Sequence, residues 1–313
     1  MKMLALEFRI PFKIEGTVIC MRILLDSRDL IEIAEHQNRV TTQAFNSFLR
    51  DNNHELVLCA STVKEISSPL AHGASFIDTI RPILQAIETL PIRYLKEVDL
   101  FGVEIRAAVN AFENDSAYEP PTPYVRTYPD TLTGPGLDGG LPIIGLRLDD
   151  IIFEMYRSPF SDQIFGARDQ QLATYRQVMI QERELLQNGK YRARTHFANV
   201  LPRRAATHHA RLPANTADFI DYVYLDANRC PGFRLYHEVF RSLAKNLNDN
   251  PEAGDFVDLA LISTIPYVDA VTLDRRMRTY VEQASRKMLK VNAAVNYRDR
   301  VYEDVSELMR QRV

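Results

Sequence analysis

The chain has 313 residues, 46% hydrophobic and 25% charged, an ordinary globular composition with ample apolar material for a core. Thirty-eight basic side chains against forty-one acidic ones leave a net charge of −3. That excludes a polycation, so any nucleic-acid binding must use a local patch. Cys20, Cys59 and Cys230 are far apart and odd in number; they make neither a zinc-ligand spacing nor a disulfide framework, and a reducing cytoplasm is expected. No run of ~18 apolar residues suits a membrane span. Lys2, Glu7, Arg9, Lys13 and Glu15 break the pattern of a signal peptide. The length allows about two domains of ~150 residues each, or one domain with a large insertion.

Along residues 1–20, Leu4, Leu6, Phe8 and Ile10 share one face against Glu7 and Arg9, the alternation of an added edge strand. We take this stretch as an N-terminal extension, or a start assigned too far upstream, with the compact domain beginning at Met21. Arg22–Asp26 (RILLD) predicts a buried strand ending in a carboxylate. Helices are expected over Asp29–Gln37 and Thr41–Arg50, the second with Phe45, Phe48 and Leu49 on one face. Glu55–Cys59 (ELVLC) predicts another strand. Ser61 or Thr62 then caps a helix that carries Glu65 in its first turns. Strand, helices, strand, helix is the opening of an α/β unit with a parallel sheet.

The stretch 75–247 reads as a mainly helical insertion. Helices are expected over Ser75–Thr89, Tyr94–Asn114, Arg147–Tyr156, Ser161–Asn188, Asp218–Tyr224 and Leu235–Leu247, with a long Pro- and Gly-rich loop over Pro120–Gly145. The core then resumes over 248–290. The apolar run before Pro266 predicts a helix that stops at the proline. The VDAVTL segment is short and β-branched and predicts the closing strand, with Asp269 near its start and Asp274 at its end. Residues 291–313 complete a charged C-terminal helix that covers the sheet or forms a partner interface.

Four acids fall at the ends of elements that an α/β sheet could bring together: Asp26, Glu65, Asp258 and Asp274. Asp269 and Asp255 are second-rank members. Ligand sites in open parallel sheets lie beyond the carboxyl ends of the strands. Carboxylates ~4 Å apart repel by ~4 kcal/mol at an effective dielectric of ~20, so such a cluster takes up protons or binds a cation. All-oxygen donors favour Mg²⁺ or Mn²⁺ over zinc. Taken singly, each residue has a plainer reading. An Asp after a strand is more often a turn or N-cap residue, Glu65 a capping-box or surface residue, Asp255 the N-cap of its helix and Asp269 a turn residue. The joint order and setting set the group apart.

RILLD at 22–26, LVLCASTVKEI at 56–66 and DLALISTIPYVDAVTLDRRM at 258–277 together resemble the PIN-domain nucleases, in particular the PIN-like branch with a PYxD…TxD ending. The likeness covers roughly residues 21–70 and 254–290, under a third of the chain. It implies a three-layer α/β/α parallel-sheet domain whose acids hold Mg²⁺ or Mn²⁺ at the carboxyl edge of the sheet. It also implies hydrolysis of RNA, or sometimes DNA, by metal-activated water. By motif, Asp26, Glu65, Asp258 and Asp274 correspond to the four catalytic and metal-holding acids. Asp269 matches the aspartate of PYxD as a further metal ligand. Thr272 matches the threonine before the last aspartate, where it orients a carboxylate, contacts phosphate, or serves only as a β-branched strand residue. The roughly 190 residues between Glu65 and Asp258 are a departure from the small PIN toxins. The family also suggests a toxin or defence effector held by an inhibitory protein partner. A phosphatase reading of ILLD fails at Arg28, where an aspartate is needed. A non-catalytic PIN-like scaffold that binds partners is the alternative.

Between Gln187 and Ala217 there is no Asp or Glu. Lys190, Arg192, Arg194, Arg203, Arg204 and Arg211 lie there with Tyr191, Phe197, His196, His208 and His209. Cations can bind a phosphate backbone and aromatics can stack on unpaired bases; a solvated helix face or a loop has the same composition. Arg275, Arg276 and Arg278 follow Asp274 closely enough to meet a phosphate held near it, or line the exposed face of a helix. Single-stranded or structured RNA is the expected partner.

Overall fold

The computed structural model describes residues 20–36, 40–132, 146–158, 168–187, 192–250, 252 and 254–312. Six strands form one sheet: β1 (Arg22–Leu24), β2 (Glu55–Cys59), β3 (Ile92–Leu95), β4 (Tyr124–Val125), β5 (Ala270–Thr272) and β6 (Val301–Tyr302). Their order is β4-β3-β2-β1-β5-β6. Every neighbouring pair is parallel except β3 and β4. Leu24 stands opposite Val57 on one side and Val271 on the other, so the first and fifth strands meet at the centre although nearly 250 residues separate them.

Past Arg22 and Glu55 at their starts, the central strands are buried on both faces, as a parallel sheet requires. Ile23, Leu25, Leu56, Leu58 and Ala270 point to one face. There they meet α1 (Ser27–Ala34), α2 (Thr42–Asp51), α3 (Ala60–Ile66), α4 (Ile77–Glu88), α6 (Tyr128–Leu132), α7 (Leu148–Arg157) and α14 (Val305–Arg312). Leu24, Val57, Cys59, Leu95, Val271 and Leu273 point to the other. That face is covered by α8 (Arg168–Gln187), α11 (Pro231–Lys245), α12 (Asp255–Thr264) and α13 (Arg275–Leu289). A third apolar cluster joins α5 (Leu100–Glu113), α9 (Ala193–Thr207) and α10 (Thr216–Tyr224) to the start of α11. The fold is therefore α/β, with a mostly parallel sheet and helices on both faces.

Three expectations change. The stretch 75–247 is not a separate insertion, because β3 and β4 belong to the central sheet and α4, α7 and α11 build its two covers. The helix expected from Tyr94 begins only at Leu100; Ile92–Leu95 pairs with β2 instead. Ile92 and Tyr94 are half-buried, Arg93 is exposed and Leu95 is buried; such a segment suits a strand beside a formed neighbour, and that pairing outweighs the local helical pattern. The C-terminal stretch is not one helix: α13 stops at Leu289, Asn292 adopts a left-handed conformation with φ 62°, and β6 pairs with β5 before α14 begins. Asn is among the few residues that enter that region readily. Among the described residues no helix is long and apolar enough to cross a membrane. The edge strand expected within residues 1–20 and the start of the helix expected from Ser161 lie outside the described residues.

Candidate metal centre

The carboxyl edge of the sheet gathers the four first-rank acids. Asp26 follows β1 and is the N-cap of α1, its Oδ1 accepting from the Arg28 N–H at 3.3 Å. Asp274 follows β5 and is the N-cap of α13, its Oδ1 accepting from the Met277 N–H at 2.7 Å. The capping role that each aspartate allows is thus filled. It also aims each carboxylate, because a side chain bonded to its own helix start has little rotational freedom left. Since β1 and β5 are parallel neighbours, the two caps emerge side by side. Glu65 comes from α3, behind the adjacent strand β2. Ser27, buried directly after Asp26, bridges the two: its Oγ donates to Glu65 Oε2 at 2.7 Å and lies 3.2 Å from Asp26 Oδ1.

Asp258 closes the group from α12 and carries its electrostatic signature. Burial, then the negative charges of Asp26, Asp274, Glu65 and Asp255, push its carboxyl from the ordinary range up to about 8. Burial alone penalises the charged form; the neighbouring acids add to that penalty. The group therefore holds a proton at neutral pH when no cation is present. Among the described residues, no three His, Cys, Asp or Glu side chains already stand together as a metal cage. The charges of the neighbouring acids nevertheless act on Asp258.

Thr272 bonds the backbone that leads into Asp26. It is fully buried on β5, and its Oγ1 accepts the Asp26 backbone N–H at 2.9 Å. Asp29, one turn along α1, is a residue that sequence reasoning missed. Its side chain is fully buried, and burial pushes its carboxyl up to about 6, against the Thr272 hydroxyl and the Arg28 guanidinium. The one available signal was its i, i+3 spacing from Asp26, which any helix start shares. Glu97 was missed as well. It lies just past β3, and its carboxylate takes the Ser61 N–H at 2.5 Å and the Ser61 hydroxyl at 2.6 Å. It thereby does for α3 what the expected Ser61 or Thr62 cap does not, since the N-cap residue is Cys59.

Two second-rank acids lie elsewhere. Asp269 precedes β5 and so stands at the amino edge of the sheet, opposite the cluster. Its Oδ2 accepts the Arg22 N–H at 2.9 Å and its own N–H returns to the Arg22 carbonyl at 2.9 Å. It pins the start of β1 to the start of β5. Five residues of extended chain at ~3.3 Å each separate it from Asp274, so the expectation of a metal ligand is corrected. Asp255 is buried one turn before Asp258, and Arg276 takes both of its oxygens, at 2.7 and 2.9 Å. That pairing occupies Asp255, the second-rank member of the acid group, and takes Arg276 away from the expected phosphate contact; the N-cap of α12 is Gly254, not the expected Asp255.

The acid-free stretch folds largely into α9 and packs on α5, α10 and α11. Arg194 pairs with Asp221, Arg211 with Glu113, and Arg204 stacks over Tyr236 at 5.1 Å. Phe197 is fully buried, and His196 nearly so, which removes both from any base-stacking surface. His196 instead joins a buried chain: its Nε2 lies 2.7 Å from Glu182 Oε2, and its Nδ1 lies 2.7 Å from His237 Nε2. Burial pushes His237 down to about 4, although Glu238 beside it pulls the other way. Arg192, Arg203 and Arg275 are exposed and make no ion pair among the described residues. Arg278 pairs with Glu282 and Glu307. Lys190 and Tyr191 lie outside the described residues. A continuous basic surface is thus reduced to scattered cations, because helix packing turns half of them toward acidic or aromatic partners.

Comparison with known proteins gives no match: no family model, no curated protein and no solved structure matches this chain.

Proposed function

We propose that the chain is a metal-dependent, PIN-like nuclease, with RNA as its first substrate and DNA as its second. One observation carries this reading: four acids from distant segments converge at one sheet edge, where the proton held by Asp258 marks a place for positive charge. The donor set, carboxylate oxygens without cysteine or histidine, fits Mg²⁺ or Mn²⁺. Asp26, Glu65, Asp258 and Asp274 would hold the ion. When bound, it supplies Lewis acidity for in-line displacement at a phosphodiester. The chain's own contribution is placement. Thr272 and the N-terminus of α1 fix Asp26, the N-terminus of α13 fixes Asp274, and Ser27 ties Glu65 to Asp26. Asp258, which burial and its acidic neighbours keep protonated near neutral pH, would have to lose that proton to serve as a donor, so cation binding would release about one proton. Arg275, exposed directly after Asp274, is placed for a substrate phosphate.

The test is incubation of purified protein with labelled single-stranded RNA and DNA in Mn²⁺, Mg²⁺ or EDTA, beside the Asp26→Ala and Asp274→Ala variants. We expect metal-dependent cleavage of RNA that falls by at least 100-fold in either variant. Cleavage unchanged in both variants would sink the assignment of these acids. Absence of cleavage and of Mn²⁺ binding heat by the unmodified protein would point to a non-catalytic scaffold.

A further inference from the structure

The helices that carry Asp258 and Asp274 pack chiefly on α11, the helix behind them, and not on each other. A polar fork joins them directly. Arg276, two residues past Asp274, reaches from α13 to the chain leading into α12. Its Nε lies 3.0 Å from both Asp249 oxygens, its Nη1 2.7 Å from Asp255 Oδ1 and its Nη2 2.9 Å from Asp255 Oδ2. The far side of each carboxylate is also held. The Tyr280 hydroxyl donates to Asp249 Oδ2 at 2.5 Å, and the Glu252 N–H donates to Asp255 Oδ2 at 3.0 Å. Asp255 is 1% exposed. Only a planar guanidinium can bridge two carboxylates in this way; an ammonium is a point charge.

We propose that Arg276 is a positioning residue that sets the distance between Asp258 and Asp274, and with it the affinity of the acid cluster for a divalent cation. The inference rests on the metal-site reading above. Asp255 and Asp258 lie i, i+3 on one face of α12, so a fork that fixes the first fixes the second one turn on. Groups behind metal ligands commonly govern affinity by about 10–100-fold.

Charge and geometry predict opposite results here, which makes the inference testable. Arg276→Gln removes a positive charge beside a cluster of acids. By charge alone the variant would bind a cation more tightly. If the fork sets spacing, it binds more weakly. Mn²⁺ is titrated calorimetrically into the full chain, its Asp274→Ala variant, Arg276→Gln and Arg276→Lys, with circular dichroism and thermal melts to confirm that each is folded at the titration temperature. We expect the unmodified chain to bind Mn²⁺, Asp274→Ala to lose it, and Arg276→Gln to bind at least tenfold more weakly. Arg276→Lys keeps the charge, loses the bridge, and weakens binding several-fold; it decides the matter alone if the glutamine variant does not fold. Equal or tighter binding in the folded variants, with Asp274→Ala still inactive in binding, would overturn the role of Arg276 and leave the metal site standing. No Mn²⁺ binding by the unmodified chain would overturn both.

Discussion

Removing a carboxylate from the candidate site should stabilise the metal-free protein. Burial and the neighbouring acids push the Asp258 carboxyl up to about 8 in the folded chain, against an ordinary 3.8. An acid whose folded pKa is raised holds a proton that the unfolded chain has released. Stability is then full below about pH 3.8 and falls as pH rises toward 8, by ~1.4 kcal/mol per pH unit across that window. Integrated over the window, the cost has a ceiling on the order of 6 kcal/mol. Solvent and salt screen a partly exposed cluster, so we expect about 2–3 kcal/mol of it to be realised. Asp258→Asn keeps the shape and cannot ionise. Urea denaturation in EDTA should therefore find the variant more stable than the unmodified protein by about 2–3 kcal/mol at pH 8.5, with the difference vanishing near pH 4. Saturating Mn²⁺ should reverse the order, because a ligand that binds only the native state stabilises it and the variant lacks a charged donor. A variant no more stable than the parent at pH 8.5, or parallel pH profiles, would refute the argument that these acids repel one another.

Two further outcomes follow from the geometry. His237 titrates near 4 in its buried setting against an ordinary 6.5, so the unfolded chain takes up a proton that the folded one refuses, and stability drops as pH falls from 6.5 to 4. His237→Gln should flatten that part of the urea-midpoint profile, with a ceiling on the order of 3 kcal/mol; an unchanged slope would show that the imidazole is not the group responsible. Asp269→Ala should cost about 1 kcal/mol of stability through the lost Arg22 bond while leaving Mn²⁺ affinity within about threefold of the parent. A loss tenfold or greater on calorimetric titration would return Asp269 to the metal site.

Much of the frame was legible because burial leaves a local mark. RILL, ELVLC and VDAVTL are short apolar runs bounded by polar residues, and all three form strands that end near the expected carboxylates. Pro266 ends α12, as a missing N–H and a fixed φ require. The positions of Asp26 and Asp274 were readable for a related reason: a charge placed just after a buried strand has one edge of the sheet to occupy, whereas Glu65 and Asp258 stand on helices and owe their places to packing. β3 was not legible, since the four residues Ile92–Leu95, followed by an amphipathic helix, look helical until a neighbouring strand offers its backbone. Asp29 was hidden too, because nothing in a helix start says whether its third residue faces water or the sheet.

By itself, the sequence determined which segments are buried, where the helices stop, and that acids stand at the ends of strands. Only the tertiary structure decided partners. Asp255 and Asp258 are the same distance along one helix as any i, i+3 pair, yet one is taken up by Arg276 and the other is left among like charges. Arg276 and Arg275 are adjacent, and one is clamped by two aspartates while the other is exposed. Periodicity reports whether a side chain leaves water. The group that meets it there depends on contacts between residues far apart in the chain, which no local pattern encodes.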